Sequence, residues 1–363
     1  MTIGVVADID KASGEEPVIC RRTGRLGRVT LNRPSALNAL TLDMITLATR
    51  TLREWLTDSA VELVVVDGAG ERAFCAGGDI TVVHGAAEGD QRIAKELWRA
   101  EYELDALLAH YPKPVAFLMD GIVMGGGLGL SGHHRGLRIV TERTVLAMPE
   151  VAIGLAPDVG GALLLTRTPG LLGTHLALTA GRIGPGDAIA CGLADHAVDS
   201  SRLPEVLGAL ERGEPLSELT YPAASPLLGD GPWIQACYSA PTVTEIRKRL
   251  RARPEPAASE AANAVDSASP TALAVTLEAL RRARTMTDIE ECLVQDYRLC
   301  SRFLDSPDLA EGIRAAVIDK DRAPHWNPAS HEEVSAEAVA SYFEPLPEGE
   351  LQLPPRPCGP TTR

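Results

Sequence analysis

The stretch Pro114-Val115-Ala116-Phe117-Leu118-Met119-Asp120-Gly121-Ile122-Val123-Met124-Gly125-Gly126-Gly127-Leu128-Gly129-Leu130-Ser131 decides the fold. Pro114 to Met119 is a continuous apolar run, which suits a strand buried on both faces. Met124 to Ser131 is a glycine-rich turn that opens a helix. Backbone N–H groups at such an opening lack intrahelical partners and can face an anion or a developing oxyanion. Close helix–strand packing also uses glycine, so the turn alone does not separate the two roles. It is not a dinucleotide fingerprint, because Leu130 stands where the last glycine of GxGxxG would follow Gly125 and Gly127, and the chain has no GKS/T.

Outward from this segment the same alternation repeats. Arg28-Val29-Thr30-Leu31, Leu63-Val64-Val65-Val66 and Leu137-Arg138-Ile139-Val140 read as further strands, and helical spacing runs from Ala36 to Leu56 and from Ile93 to Ala109. The class is α/β, built of repeated strand–helix units. After about residue 200 the strand signals stop. Ile246 to Arg253, Ala257 to Ala268, Thr271 to Thr285 and Asp288 to Phe303 read as helices, with Ser269-Pro270 as a cap and first-turn proline. Pro345 to Arg363 holds six prolines and little to bury. The expected division is a polar lead-in (1–24), an α/β core (25–230), a helical C-terminal region (231–345) and a disordered tail (346–363).

Composition narrows the function classes. The net charge of −14 argues against nonspecific nucleic-acid binding, which needs a basic footprint. No apolar run is long enough for a membrane span, and Met1 to Glu16 does not read as a secretory signal. Seven scattered cysteines without CxxC fit a reducing compartment, and a cytoplasmic location is expected.

Two further segments carry chemistry. Ala73-Phe74-Cys75-Ala76-Gly77-Gly78-Asp79-Ile80 is a second glycine turn after a strand. Two such turns suit a two-donor oxyanion hole, although a plain tight turn explains the glycines equally well. Met148 to Gly161 sets Glu150 and Asp158 eight residues apart among apolar neighbours, with Pro149, Gly154 and Pro157 breaking any regular helix. Such surroundings raise carboxylate pKa values and suit acid–base or nucleophilic work. The competing reading makes Glu150 a helix cap or ion-pair partner and Asp158 an N-cap of a helix at Gly161–Arg167. Ser131 lacks the GxSxG frame, Cys75 reads as a packing residue, His133-His134 as a solvated surface pair, and Asp319-Lys320-Asp321 as a surface cluster whose lysine could meet a phosphate.

Taken in order, these segments resemble the crotonase (enoyl-CoA hydratase/isomerase) superfamily, and within it the 3-hydroxyisobutyryl-CoA hydrolase subfamily. The resemblance rests on Leu31 to Leu40, Ala73 to Ile80, Lys113-Pro114, the triple glycine, Met148 to Gly161, Leu176 to Arg182 and Gly192 to His196. Ser269-Pro270-Thr271, Glu311 to Ala315 and Ile318 to Asp321 carry the subfamily likeness. It implies a crotonase-like spiral of ββα units with two roughly perpendicular sheets and a helical C-terminal region. It implies an acyl-CoA substrate, no cofactor beyond the CoA of the substrate, no metal, and room for a homo-oligomer. By motif position, Gly78 and Gly126 supply the oxyanion donors, and Glu150 and Asp158 the reacting acids. Glu101 meets the acyl hydroxyl, and Ala36, Ala76, Asp79, Ile80, Gly125, Gly127 and Gly129 line the substrate. Arg33 and Arg72 are candidates for the CoA phosphates. Hydratases of the family carry a glutamate where this chain has Gly129, so thioester hydrolysis is expected over hydration. An enoyl-CoA hydratase/isomerase and a non-catalytic acyl-CoA-binding protein are the alternatives. Ala156, where the subfamily often has a bulky aromatic, is a departure.

Overall fold

A computed structural model describes residues 16–357. Its strands are β1 (Val18–Thr23), β2 (Leu26–Leu31), β3 (Leu63–Gly68), β4 (Ala73–Cys75), β5 (Val115–Met119), β6 (Ile122–Met124), β7 (Leu137–Thr141), β8 (Val145–Ala147), β9 (His196–Val198) and β10 (Thr220–Tyr221). They form a seven-stranded sheet, β1-β2-β3-β5-β7-β9-β10, and a three-stranded sheet, β4-β6-β8. The hairpin β1–β2 and the pair β9–β10 are antiparallel, and the other pairings are parallel. Each turn of the spiral therefore places a strand in the large sheet, a three-residue strand in the small sheet, and then helical structure.

Strand alternation explains how the large sheet is covered. Val64, Val66, Val115 and Phe117 point into the main core. Val65, Ala116, Leu118 and Ile139 point to the other face, where Val206, Ala209 and Leu210 of the helix Leu203–Arg212 cover them. Both faces are dry, which is why these strands read as unbroken apolar runs.

The helical C-terminal region comprises Pro226–Tyr238, Val243–Arg251, Pro256–Ser267, Pro270–Ala283, Ile289–Phe303 and Pro307–Ile313. Ser269 caps its helix by accepting from the Ala272 amide at 3.1 Å, with Pro270 at the first position. No helix among the described residues is long and apolar enough to cross a membrane.

Several expectations need correction. The polar lead-in itself holds a strand from residue 18, because β1 pairs with β2 across a turn at Gly24, whose φ is +56°. Its arginines hid it: β1 is an edge strand with its second half exposed. Residues 1–15 lie outside the described part. The boundary at 230/231 falls inside the helix Pro226–Tyr238. The helix expected from Ala36 starts at Leu42, after a 3₁₀ turn and a Thr41 cap. The proline-rich tail is ordered through residue 357: Leu346 and Leu351 are buried, Arg298 pairs with Glu350 at 2.6 Å, and Arg356 pairs with Glu290 at 2.6 Å. A few leucines and alternating charges anchor an extended segment that composition alone marks as unfolded; residues 358–363, Cys358 among them, lie outside the described part.

Candidate active site

The two glycine turns meet at the ends of β4 and β6. After Cys75 the chain passes through Gly77 at φ +101°, and a parallel bridge (Leu40 amide to Gly77 carbonyl, Asp79 amide to Leu40 carbonyl) engages the residues on either side of Gly78. The Gly78 amide itself has no backbone acceptor among the described residues. After β6, Gly125 turns at φ +48°, and the short helix Gly126–Gly132 begins, so the Gly126 amide precedes any intrahelical acceptor. A Cβ on Gly126 would lie 3.4 Å from the Gly78 nitrogen and 2.0 Å from Glu101 Oε1, and a Cβ on Gly77 would lie 3.4 Å from the Gly126 nitrogen. Both turns therefore have to be glycine to bring the two amides together, and the pair has the form of a two-donor oxyanion hole.

Acidic side chains converge on the same place. Glu150 opens a 3₁₀ turn, is 5% exposed, and its Oε2 has no hydrogen-bond partner among the described residues. Its Oε1 would be 3.0 Å from a Cβ on Gly125. Asp158 accepts a hydrogen bond from the Tyr102 hydroxyl at 2.8 Å and lies 3.7 Å from Cys300 Sγ. Glu101, Tyr102 and Asp105 come from the helix Arg92–Ala109, and Asp296 and Cys300 from Ile289–Phe303. Glu101, Asp105, Glu150, Asp158 and Asp296 are all buried, and no basic side chain contributes to the shift of any of them.

Burial is the main cause of each shift, followed for most by neighbouring carboxylates. It pushes Glu101 up to about 8, with Asp158 adding to the rise. Asp158 rises only to about 6, because Tyr102, the backbone and Cys300 hydrogen-bond its charged form. Glu150, Asp105 and Asp296 are pushed well above the usual carboxylate range. For Glu101 the folded value exceeds the unfolded one, so its contribution to stability is complete below about 4.5 and is lost as pH rises through about 8. Glu101→Gln is therefore expected to melt roughly 2–4 °C above the parent at pH 8.5, with the gain vanishing near pH 4, in thermal scans at both pH values.

Three of these acids, Glu101, Glu150 and Asp158, line a cavity of about 120 Å³, while Asp105 and Asp296 lie behind its wall. Its walls include Ala76, Gly78, Ile80, Glu101, Gly125, Gly126, Glu150 and Asp158. A volume this far below that of a drug-sized site suits a short acyl group. A groove of about 530 Å³ between the helices Val243–Arg251 and Pro270–Ala283 holds none of the buried acids.

Four residues expected at the substrate are not in the cavity wall. Asp79 caps the helix Ile80–Ala87 through Thr81 and pairs with Arg33 at 3.2 Å. Gly127 packs on the Cys75 carbonyl, 2.4 Å from where a Cβ would sit. Gly129 packs on Val159, 2.6 Å from such a Cβ, and Ala36 belongs to the 3₁₀ turn Pro34–Ala36. The space a hydratase glutamate would need is thus filled by Val159. Gly129→Glu is expected to gain no hydration of crotonyl-CoA and to lower the melting temperature, because a buried clash of this kind costs about 1–3 kcal/mol.

Other readings also change. Asp158 does not cap the helix Gly161–Thr166; Gly160 does, at φ +74°. His133 and His134 are not a solvated pair, since their Nε2 atoms lie 3.0 Å and 3.2 Å from the carbonyls of Val159 and Tyr111. Cys75 is buried as a packing residue, and Ser131 donates to the Gly127 carbonyl at 2.9 Å. Asp319 and Asp321 both pair with Arg314. Arg33 donates to the Ala39 carbonyl at 2.7 Å, and Arg72 is exposed. Ala156 is buried outside the cavity, whereas Leu155 lines it. Sequence reasoning missed Trp98 and Leu97, and also Leu309 and Ile313, through which the C-terminal region closes the wall. It also missed Tyr102, Asp105, Asp296 and Cys300; the only signal was polar residues on the apolar face of an amphipathic helix.

A spiral of ββα units with two free amides facing an acid-lined cavity is the architecture of the crotonase class. The Enoyl-CoA hydratase/isomerase family model matches residues 26–343, and the chain belongs to that family. It is 39% identical over 351 residues to 3-hydroxyisobutyryl-CoA hydrolase, mitochondrial, of Rattus norvegicus, covering 93% of this chain and 91% of that protein. The Homo sapiens protein of the same name is 38% identical over 353 residues, with the same coverage of 93% and 91%. Among solved structures, a carnitinyl-CoA dehydratase from Mycobacterium thermoresistibile superposes with a TM-score of 0.90 at 44% identity, covering 93% of this chain and 99% of that one. An enoyl-CoA hydratase from Rhodobacter sphaeroides 2.4.1 gives 0.87 at 46% identity, with coverage of 93% and 100%.

Proposed function

We propose that the protein hydrolyses the thioester of 3-hydroxyisobutyryl-CoA, or of a similar short β-hydroxyacyl-CoA, releasing the hydroxy acid and CoA in valine breakdown. The observation that carries this reading is Glu150, buried beside the two-amide turn with a carboxyl oxygen that has no partner among the described residues, while the hydratase glutamate position is glycine. The names of the curated relatives agree with it.

In this mechanism the Gly78 and Gly126 amides take the negative charge that develops on the thioester oxygen. Glu150 first gives up the proton that its burial favours and attacks the carbonyl carbon as the carboxylate; the C–S bond breaks, the thiolate leaves and takes up a proton, and water then cleaves the acyl-enzyme anhydride. In the other route Glu150 is the base that takes a proton from water as water attacks. Asp158 exchanges protons with water or the leaving thiolate, and Glu101 meets the acyl hydroxyl. Both routes consume one water and need no cofactor besides the CoA already in the substrate. A reducing location is part of the proposal and is supported by the free cysteines among the described residues; the word mitochondrial belongs to the relatives.

The test is thiol release from 3-hydroxyisobutyryl-CoA, with crotonyl-CoA in parallel. Fast thiol release with no loss of crotonyl absorbance supports the reading. Loss of crotonyl absorbance without thiol release makes the protein a hydratase, the activity named for the Rhodobacter sphaeroides neighbour. Tight binding of either thioester without turnover makes it a binding protein.

A further inference from the structure

The segment that carries Asp158 is held in an unusual backbone state. Val159 has φ +53° and Gly160 has φ +74°, two successive left-handed residues. A β-branched residue rarely adopts this conformation, and it persists only where the surroundings over-determine it. Three consecutive residues are gripped from three places in the chain. The Asp158 carboxylate accepts from Tyr102, the Val159 carbonyl lies 3.0 Å from His133 Nε2, and the Gly160 amide donates to Asp296 Oδ2 at 2.8 Å. His133 is half-buried and held neutral, down near 4, so the proton that reaches the Val159 carbonyl is the Nε2–H of that tautomer. The Val159 side chain fits only because residue 129 is glycine, and His133 Nε2 would be 2.4 Å from a Cβ on residue 160.

We propose that Asp296 and His133 are positioning residues that clamp the Val159–Gly160 backbone in its left-handed state and so aim Asp158 into the cavity. The proposal rests on the hydrolase reading for what Asp158 does there. It assigns the C-terminal helical region a part in the chemistry: Asp296 acts on a loop 136 residues earlier in the chain. A neutral carboxyl can do this, because the Gly160 N–H needs only a carbonyl-type acceptor. Asparagine should therefore serve at 296 and leucine should not.

The experiment compares Asp296→Asn with Asp296→Leu, and His133→Gln with His133→Leu, in the full-length protein. Two readouts are taken: kcat and KM for thiol release, and hydrogen–deuterium exchange of the peptide spanning 155–162. The leucine variants are expected to lose roughly tenfold or more in kcat with KM within about twofold, and to exchange faster in that peptide. The asparagine and glutamine variants are expected to keep most of kcat and the parent exchange rate. Equal kcat in Asp296→Leu and the parent, or equal exchange in all variants, overturns the proposal, as does Asp296→Asn falling as far as Asp296→Leu. If the leucine variants do not fold, unchanged kcat and exchange in Asp296→Asn and His133→Gln support the clamp, and a loss in both overturns it. If the parent releases no thiol, the hydrolase reading falls, and the exchange rates still decide whether the clamp exists.

Discussion

Glu150→Gln is expected to abolish thiol release from 3-hydroxyisobutyryl-CoA, lowering kcat by roughly 10³-fold or more, at the upper end of what one acid–base or nucleophilic group contributes. The substitution keeps the shape of the side chain and removes its basicity. Glu150 is buried, and among the described residues its Oε2 has no partner whose loss would disturb the fold. Substrate affinity should stay within a few-fold, because the amides of Gly78 and Gly126 and the apolar wall of Ile80, Leu309 and Ile313 are untouched. Calorimetric titration with CoA and single-turnover thiol release separate the two quantities. A variant that binds as before and still turns over at a tenth of the parent rate would remove Glu150 from the mechanism.

Asp158→Asn is expected to lower kcat by about 10²- to 10⁴-fold with little change in KM. Asparagine still accepts the Tyr102 hydroxyl, so the geometry survives and only the charge is lost. The pH profile is the sharper readout. Asp158 is raised to about 6 and works in its charged form, so the parent rate should climb as pH rises through about 6. The groups facing it are Glu101, Asp105, Glu150, Asp296, Cys300 and Tyr102, with no cation among those that shift it. The climb near 6 should vanish in Asp158→Asn. A climb that remains belongs to another acid, and Asp158 would then not be the group that titrates.

Much of the large sheet was legible before any coordinates. Val64, Val65 and Val66 announce a strand buried on both faces, and the prolines and polar clusters that bound such runs are local signals. The small sheet was not legible, since Ala73–Cys75, Ile122–Met124 and Val145–Ala147 are each three residues long, too short to display a period. The tail shows the opposite error. Its composition is that of an unfolded segment, yet Leu346 and Leu351 are buried against the body, and Lys95 reaches Glu348.

The candidate site divides in the same way. The residues Gly78, Gly126, Glu150 and Asp158 stood out in the sequence because a glycine turn after a strand, or an acid in an apolar run, is unusual within a few residues of chain. Asp105 and Asp296 did not, since each sits singly on a helix whose other residues explain the local structure.

The sequence by itself determined the α/β class, the glycine turns that only residues without a Cβ can make, and the pair of acids beside them. Those features depend on neighbours within about ten residues, where sterics and hydrophobic period act directly. Only the tertiary structure decided that five buried carboxyl groups lie near one another, three of them on one cavity, that Val159 occupies the space above Gly129, and that Asp296 grips the Gly160 amide. These contacts join residues up to 136 positions apart. Which distant side chains meet is set by how the spiral and the C-terminal helices pack, and no local pattern records that packing.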